Sequence, residues 1–209
     1  MHPIPTSLIA FIIAAGLVTI SPGLDSALVL RTAASEGPRP AALTGLGIAI
    51  GCLVWATVVA AGLGALLEAS RLGYTVLRWA GAAYLIWLGY KLLRYPRTSF
   101  PTALPAARAG HAAFARGALT NLLNPKVGVF YVSFLPQFVP TGLPVGPYVM
   151  MLGVIHALQG LIWFACLITA TRSLSRWLKR SAVVTLLDRL TGGLFITFGL
   201  GLALESRRT

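Results

Sequence analysis

Two short polar interruptions inside apolar runs carry the side chains most able to do chemistry. Ser21-Pro22-Gly23 is followed closely by Asp25, and Asn124-Pro125-Lys126 lies just beyond Asn121. Proline has no N–H to donate and its ring crowds the preceding turn, so a helix passing through either triplet bends or breaks. The carbonyls left without partners are tolerated in hydrocarbon only where protein, water or a ligand satisfies them. Gly23 adds freedom to unwind. Two broken helices meeting at depth would present free backbone ends, the Asp25 carboxylate and the Lys126 ammonium. A zwitterionic amino acid suits such a place, with its carboxylate on exposed N–H groups, Asn124 or Lys126 and its ammonium on exposed carbonyls or Asp25. Intramembrane ionisable residues are costly and mark function. The candidate substrate-binding residues are therefore Ser21, Pro22, Gly23, Asp25, Asn121, Asn124, Pro125 and Lys126, with Asp25 also a candidate for proton or ammonium coupling. The competing reading makes the prolines simple kinks and pairs Asp25 with Lys126 as structural glue.

The elements that must position these residues follow from composition. Of 209 residues, 56% are hydrophobic and 11% charged, and the mean hydropathy is +0.79. Soluble domains carry about 25% charged residues, so the composition argues against a water-soluble enzyme. A bilayer core of about 30 Å needs about 20 apolar helical residues. Six candidate spans meet this need: Ser7 to Leu30, Ala41 to Leu67, Tyr74 to Leu93, Gly117 to Val139, Tyr148 to Thr171 and Ala182 to Leu204. The sixth is interrupted by Asp188 and Arg189, which leaves its start uncertain by several residues. The N-terminal run has no Lys or Arg before it and no small-residue cleavage site, and so reads as a first span, not a signal peptide.

The formal charge is +12, from 17 Lys+Arg against 5 Asp+Glu. The bases sit in short segments between apolar runs, a topological pattern that calls for no nucleic-acid partner. Twelve fall after the first, third and fifth spans, and four (Arg71, Arg78, Arg207, Arg208) on the alternate side. The positive-inside rule then places the twelve in the cytoplasm and both termini outside. The linker 94–116, with Pro96, Pro101 and Pro105, divides a first repeat, 1–93, from a second, 117–209. GLVTISPGLD stands beside GALTNLLNPK, and AGAAYLIWLG beside TGGLFITFGLG. Copies of a three-span unit enter the membrane from opposite sides. The expected fold is thus an all-α integral membrane protein of six transmembrane helices in two inverted three-helix repeats, the architecture from which many transporters build a central site.

Other residues admit plainer roles. His156, Gln159, Gly160 and Trp163 share one face of the fifth span. That face either lines the substrate path, with His156 a proton carrier, or forms a polar seam bonded to a neighbouring helix. Gly45, Gly47 and Gly51 allow close helix approach, chiefly within one chain, and leave a homodimer open. Tyr84, Trp87 and Tyr90 read as lipid-facing or interfacial aromatics. Cys52 and Cys166 are expected free and packed; a transmembrane thiol-disulfide carrier using them is a weak alternative, since neither adjoins a broken helix. No hydrolase, nucleotide-binding or dense metal-ligand motif occurs, so no catalytic residue, metal or other cofactor is expected, and partners reduce to membrane lipid and a small molecule. A small-cation effluxer and a non-transporting assembly partner also remain as alternatives.

SPGLD in the first span, RWAGAAYLIWLGYKLLR in the third and NLLNPKVGVFYVSFLPQFV in the fourth resemble the signatures of the lysine exporter (LysE/RhtB) family of bacterial amino-acid efflux carriers. The resemblance runs over nearly the whole chain, and NPK…F…PQF is its most distinctive part. It implies an inner-membrane exporter of amino acids or close derivatives, driven by the proton gradient or membrane potential. The chain departs from the family in having Leu24 where a second proline is usual after Pro22-Gly23, and Arg78 where Lys is common.

Overall fold

A backbone in hydrocarbon must satisfy every N–H and C=O without water, and an apolar chain does so by forming helices. In the computed structural model, which describes residues 4–21, 23–69, 71–98, 110–169 and 180–204, all regular structure is helical. Helix α1 (Ile4–Ile20) and α2 (Leu24–Ser35) meet at a 52° bend. Pro22 lies outside the described residues. Gly23, ahead of α2, is extended. At the far end of α2, the amides of Glu36 and Gly37 both bond the Thr32 carbonyl, and Gly37 adopts φ +95°. This left-handed glycine closes the helix, and Pro38 opens α3 (Pro38–Ala69). Helix α4 spans Arg71–Arg94 and α5 spans Gly110–Leu122. Past Asn124 the chain resumes as α6 (Pro125–Val129), passes through a π turn (Phe130–Phe134) and ends in a 3₁₀ turn (Leu135–Phe138). Two long helices follow, α7 (Val145–Thr169) and α8 (Ser181–Leu204).

Among the described residues, three helices are long and apolar enough to cross a membrane, over Pro38–Gly62, Val145–Thr169 and Ser181–Gly201; the bent α1–α2 pair makes a fourth. The other two expected spans are helical but differ from simple rods. Helix α4 carries Arg71, Arg78, Lys91 and Arg94 beside its aromatics, which lowers its hydropathy. The α5–α6 segment is split at Asn124, and its helix begins at Gly110, seven residues before the expected start at Gly117.

Small residues set the packing. Thr44 lies against Ala113 and Gly117, Gly47 against Phe114 and Ala118, and Gly51 against Asn121, so α3 and α5 run in the same direction. A Cβ on Gly47 would stand 2.1 Å from the Phe114 carbonyl oxygen, and one on Gly117 the same 2.1 Å from that of Thr44. Helix α7 runs opposite to α3, with Phe164 on Gly45, Gly153 on Ala56 and Gly146 on Ala60. Helices α4 and α8 are also opposed, Gly89 facing Gly192 and Ala82 facing Gly199. Gly45, Gly47 and Gly51 thus all pack against helices of their own chain. The π turn and 3₁₀ turn stack Phe130, Phe134 and Phe138 into an aromatic row closed by Phe11 and Phe198. Trp87 and Tyr90 are exposed, whereas Tyr84 is half-buried.

Asp188 does not interrupt α8. It is fully buried and accepts three hydrogen bonds from Arg97: the backbone amide at 2.9 Å, Nε at 2.9 Å and Nη2 at 2.6 Å. The Thr185 hydroxyl donates to the Arg97 carbonyl at 3.2 Å. The linker is therefore tied to α8 at its start. A second clamp joins Arg116 of α5 to Glu36 (2.9 Å) and Thr32 (3.1 Å) at the end of α2.

Candidate substrate-binding site

The missing N–H of Pro22 has a local consequence. In an unbroken helix the Val18 carbonyl would accept from residue 22, and there proline offers nothing. The Lys126 ammonium takes that place, donating to Val18 O at 3.3 Å and to Ser21 Oγ at 3.1 Å. Lys126 stands at the start of α6, where Asn124 caps the helix: its Oδ1 accepts from the Lys126 amide at 3.1 Å, with Pro125 following the cap. The helix start explains the motif, since proline at the first helical position gives up an N–H that has no intrahelical partner anyway.

Asp25 is held by other groups. Asn121 Nδ2 donates to its Oδ2 at 2.8 Å, and Asn124 Nδ2 approaches its Oδ1 at 3.4 Å. Ion pairs join Arg97 to Asp188 and Arg116 to Glu36. Asp25 and Lys126 do not form one. The structural-glue reading therefore fails at its central contact: the two charges lie in one site, each stabilised by neutral partners.

Between them is a partly open cavity of about 60 Å³, room for roughly four waters. Ser21, Gly23, Asp25, Asn124 and Lys126 line its polar end. Its remaining wall is mostly apolar, including Ile48, Val127, Phe130 and Phe164, with His156 from α7. Asn121 is fully buried behind this wall and supports Asp25. Pro125 faces a separate, wider recess of about 420 Å³ bounded by Trp55, Gly81, Tyr84 and Gly128, which shares Asn124 with the first. Gln159 is outside the wall; its amide donates to the Ile12 carbonyl at 2.9 Å, the polar-seam role. Trp163 likewise donates to Ser26 Oγ at 3.2 Å.

Several participants had no signal in the sequence. Cys52 lines the cavity, 3.5 Å from Asn121 Nδ2, so one cysteine does adjoin a broken helix. Cys166, expected to be packed, is exposed. By the α3–α7 pairing Cys52 stands level with Ala157, nine residues from Cys166 along α7, or roughly 13 Å at 1.5 Å per residue. That is too far for a disulfide. The π turn brings Tyr131, fully buried, to 2.9 Å from His156 Nδ1, and stacks Phe130 at 4.7 Å from the same imidazole. A tyrosine inside an aromatic run gives no hint of this partner.

Apolar helices with a small charged cavity where two of them break fit a membrane translocator. The chain belongs to the family of LysE type translocators, whose model matches residues 17–206. It is 30% identical over 194 residues to the homoserine/homoserine lactone efflux protein of Salmonella typhi, covering 93% of this chain and 94% of that protein. It is 31% identical over 197 residues to the threonine efflux protein of Escherichia coli, covering 89% and 92%. An uncharacterised membrane protein of Bacillus subtilis is 29% identical over 204 residues, covering 93% and 97%. No solved structure matches the chain.

Proposed function

We propose that this protein exports amino acids or close derivatives across the bacterial inner membrane by alternating access, driven by the proton gradient or membrane potential. The observation that carries the reading is the separation of charges in the cavity: Asp25 and Lys126 line one space without pairing to each other. A zwitterion brings the missing partner for both, its ammonium to Asp25 and its carboxylate to Lys126 and Asn124. Each incoming charge would replace a neutral contact with a charge-assisted one, roughly twice as strong.

The fold belongs to this proposal as two inverted three-helix repeats, 1–93 and 117–209, with the linker 94–116 in the cytoplasm and both termini outside. The opposed directions of α3 and α7 and of α4 and α8, and a break in each half beside proline, support that arrangement. Relatives named for homoserine, homoserine lactone and threonine efflux support small amino acids as cargo. The test is efflux from cells lacking their own exporters and loaded with dipeptides, one amino acid at a time. Faster loss of one or a few amino acids with the protein than without it is expected; equal loss for all twenty and for homoserine would refute the reading.

A further inference from the structure

His156 is the polar side chain that α7 places in the mostly apolar wall of the cavity. Its Nδ1 is held by Tyr131 Oη at 2.9 Å. Tyr131 is fully buried, and a buried hydroxyl whose proton finds no acceptor loses the full cost of its desolvation. Cys52 is a second neighbour of that hydroxyl; whether Tyr131 donates to Nδ1 or accepts from it, Nδ1 is engaged and Nε2 is the ring nitrogen left for the cavity. No described residue bonds Nε2. His156 is 8% exposed, and the cavity is the space it lines.

From this geometry we infer that His156 is a specificity-determining residue: its Nε2 hydrogen-bonds a hydroxyl on the substrate side chain, and Tyr131 is the positioning residue that holds the ring through Nδ1. The inference rests on the amino-acid reading above, which assigns the zwitterion to Asp25, Asn124 and Lys126 and so leaves His156 to the side chain. The preferred substrate class is amino acids with a short, hydroxyl-bearing side chain. Their aliphatic isosteres leave Nε2 unpaired in a mostly apolar wall and are discriminated against. Phe130, stacked on the imidazole, and Phe164 and Ile48 bound the space and keep the side chain short.

The pair threonine and valine, equal in shape and different by one hydroxyl, isolates this contact. Efflux is measured from cells loaded with threonine- or valine-containing dipeptides, corrected for the internal amino-acid concentration and for the amount of protein in the membrane. The original protein should prefer threonine by about tenfold, the scale of one neutral hydrogen bond together with a buried ring nitrogen otherwise left unmet. His156→Leu should bring the ratio close to one by lowering threonine export. His156→Gln, which keeps an N–H donor, should restore part of the preference. Tyr131→Phe, which frees Nδ1 and lets the ring turn, should give an intermediate ratio. Equal export of threonine and valine by the original protein overturns the inference, as does a preference that survives His156→Leu. Proportional loss of both amino acids in His156→Leu and Tyr131→Phe overturns it too, since it makes the pair structural. If no amino acid leaves faster with the original protein present, the amino-acid reading itself falls.

Discussion

Asp25→Asn separates the carboxylate's charge from its shape. The replacement keeps one oxygen and turns the other into an NH2 group that would meet the Asn121 Nδ2 donor now 2.8 Å from Asp25 Oδ2. Asn121 can relieve this by a half-turn of its amide, because its Oδ1 is buried without a partner and would then accept from the new NH2. The fold should therefore lose only about 1 kcal/mol, the value of one neutral hydrogen bond, or about 2–4 °C in Tm for a chain of this size. Transport should suffer more. A hydrogen bond to a charged group nets about 1.5–3 kcal/mol and one between neutral groups about 0.5–1.5. The substrate ammonium thus loses about 1–1.5 kcal/mol, or roughly tenfold in export below saturation. Efflux from dipeptide-loaded cells, set beside thermal unfolding of the purified protein in detergent, reads both quantities. Export equal to that of the original protein, at equal membrane levels, would refute the role given to Asp25. A Tm fall of 10 °C or more would instead show that the carboxylate holds the fold.

The remaining expectations concern the frame around the site. Gly117→Ala sets a methyl group 2.1 Å from the Thr44 carbonyl oxygen; neither helix backbone can yield locally, so α3 and α5 must part, at an overpacking cost of about 1–3 kcal/mol or more. Gly62→Ala, where nothing stands within 4 Å, is the control, and thermal unfolding should separate the two. Arg97→Ala removes all side-chain bonds to the buried Asp188 and should destabilise by about 3 kcal/mol, the lower end for a broken buried pair because Arg97 itself is one-third exposed. Adding Asp188→Leu should recover much of that loss in the same assay.

What could be read in advance depended on whether the cause was local. Pro22 and Pro125 announce helix breaks because the missing N–H is a property of the residue, and Asn124 announces a cap for the same reason. The bases between apolar runs are equally local. Asp188 misled because its cost looked fixed by its own helix, whereas Arg97, 91 positions away, accounts for it. The hold of Asn121 on Asp25 spans 96 positions, and no spacing rule encodes it. Cys52 reads as a small apolar residue in its own span; only the α3–α5 approach at Gly51 sets its sulfur beside Asn121 and the cavity. The Tyr131 and His156 contact depends on a π turn, a change of helical register that apolar periodicity does not mark.

The two prolines are not interchangeable, and this gives the site its sharpest test. Pro125 sits where a helix begins and its absent N–H costs nothing. Pro22 sits where a helix would otherwise continue, and its absent N–H frees the Val18 carbonyl that Lys126 occupies. Pro22→Ala would supply an amide to that carbonyl. The chain should gain stability, up to about 3 kcal/mol if the helix closes across the break, while Lys126 loses one of its two acceptors and the polar end of the cavity narrows. Higher Tm with lower export is the expected pair of results, the trade expected when strain is held at a functional site. Pro125→Ala should change Tm little, because the Asn124 cap and helix start persist without it. Export undiminished in Pro22→Ala, in a protein that has become more stable, would mean that the break is a packing feature and that Lys126 needs no freed carbonyl to work.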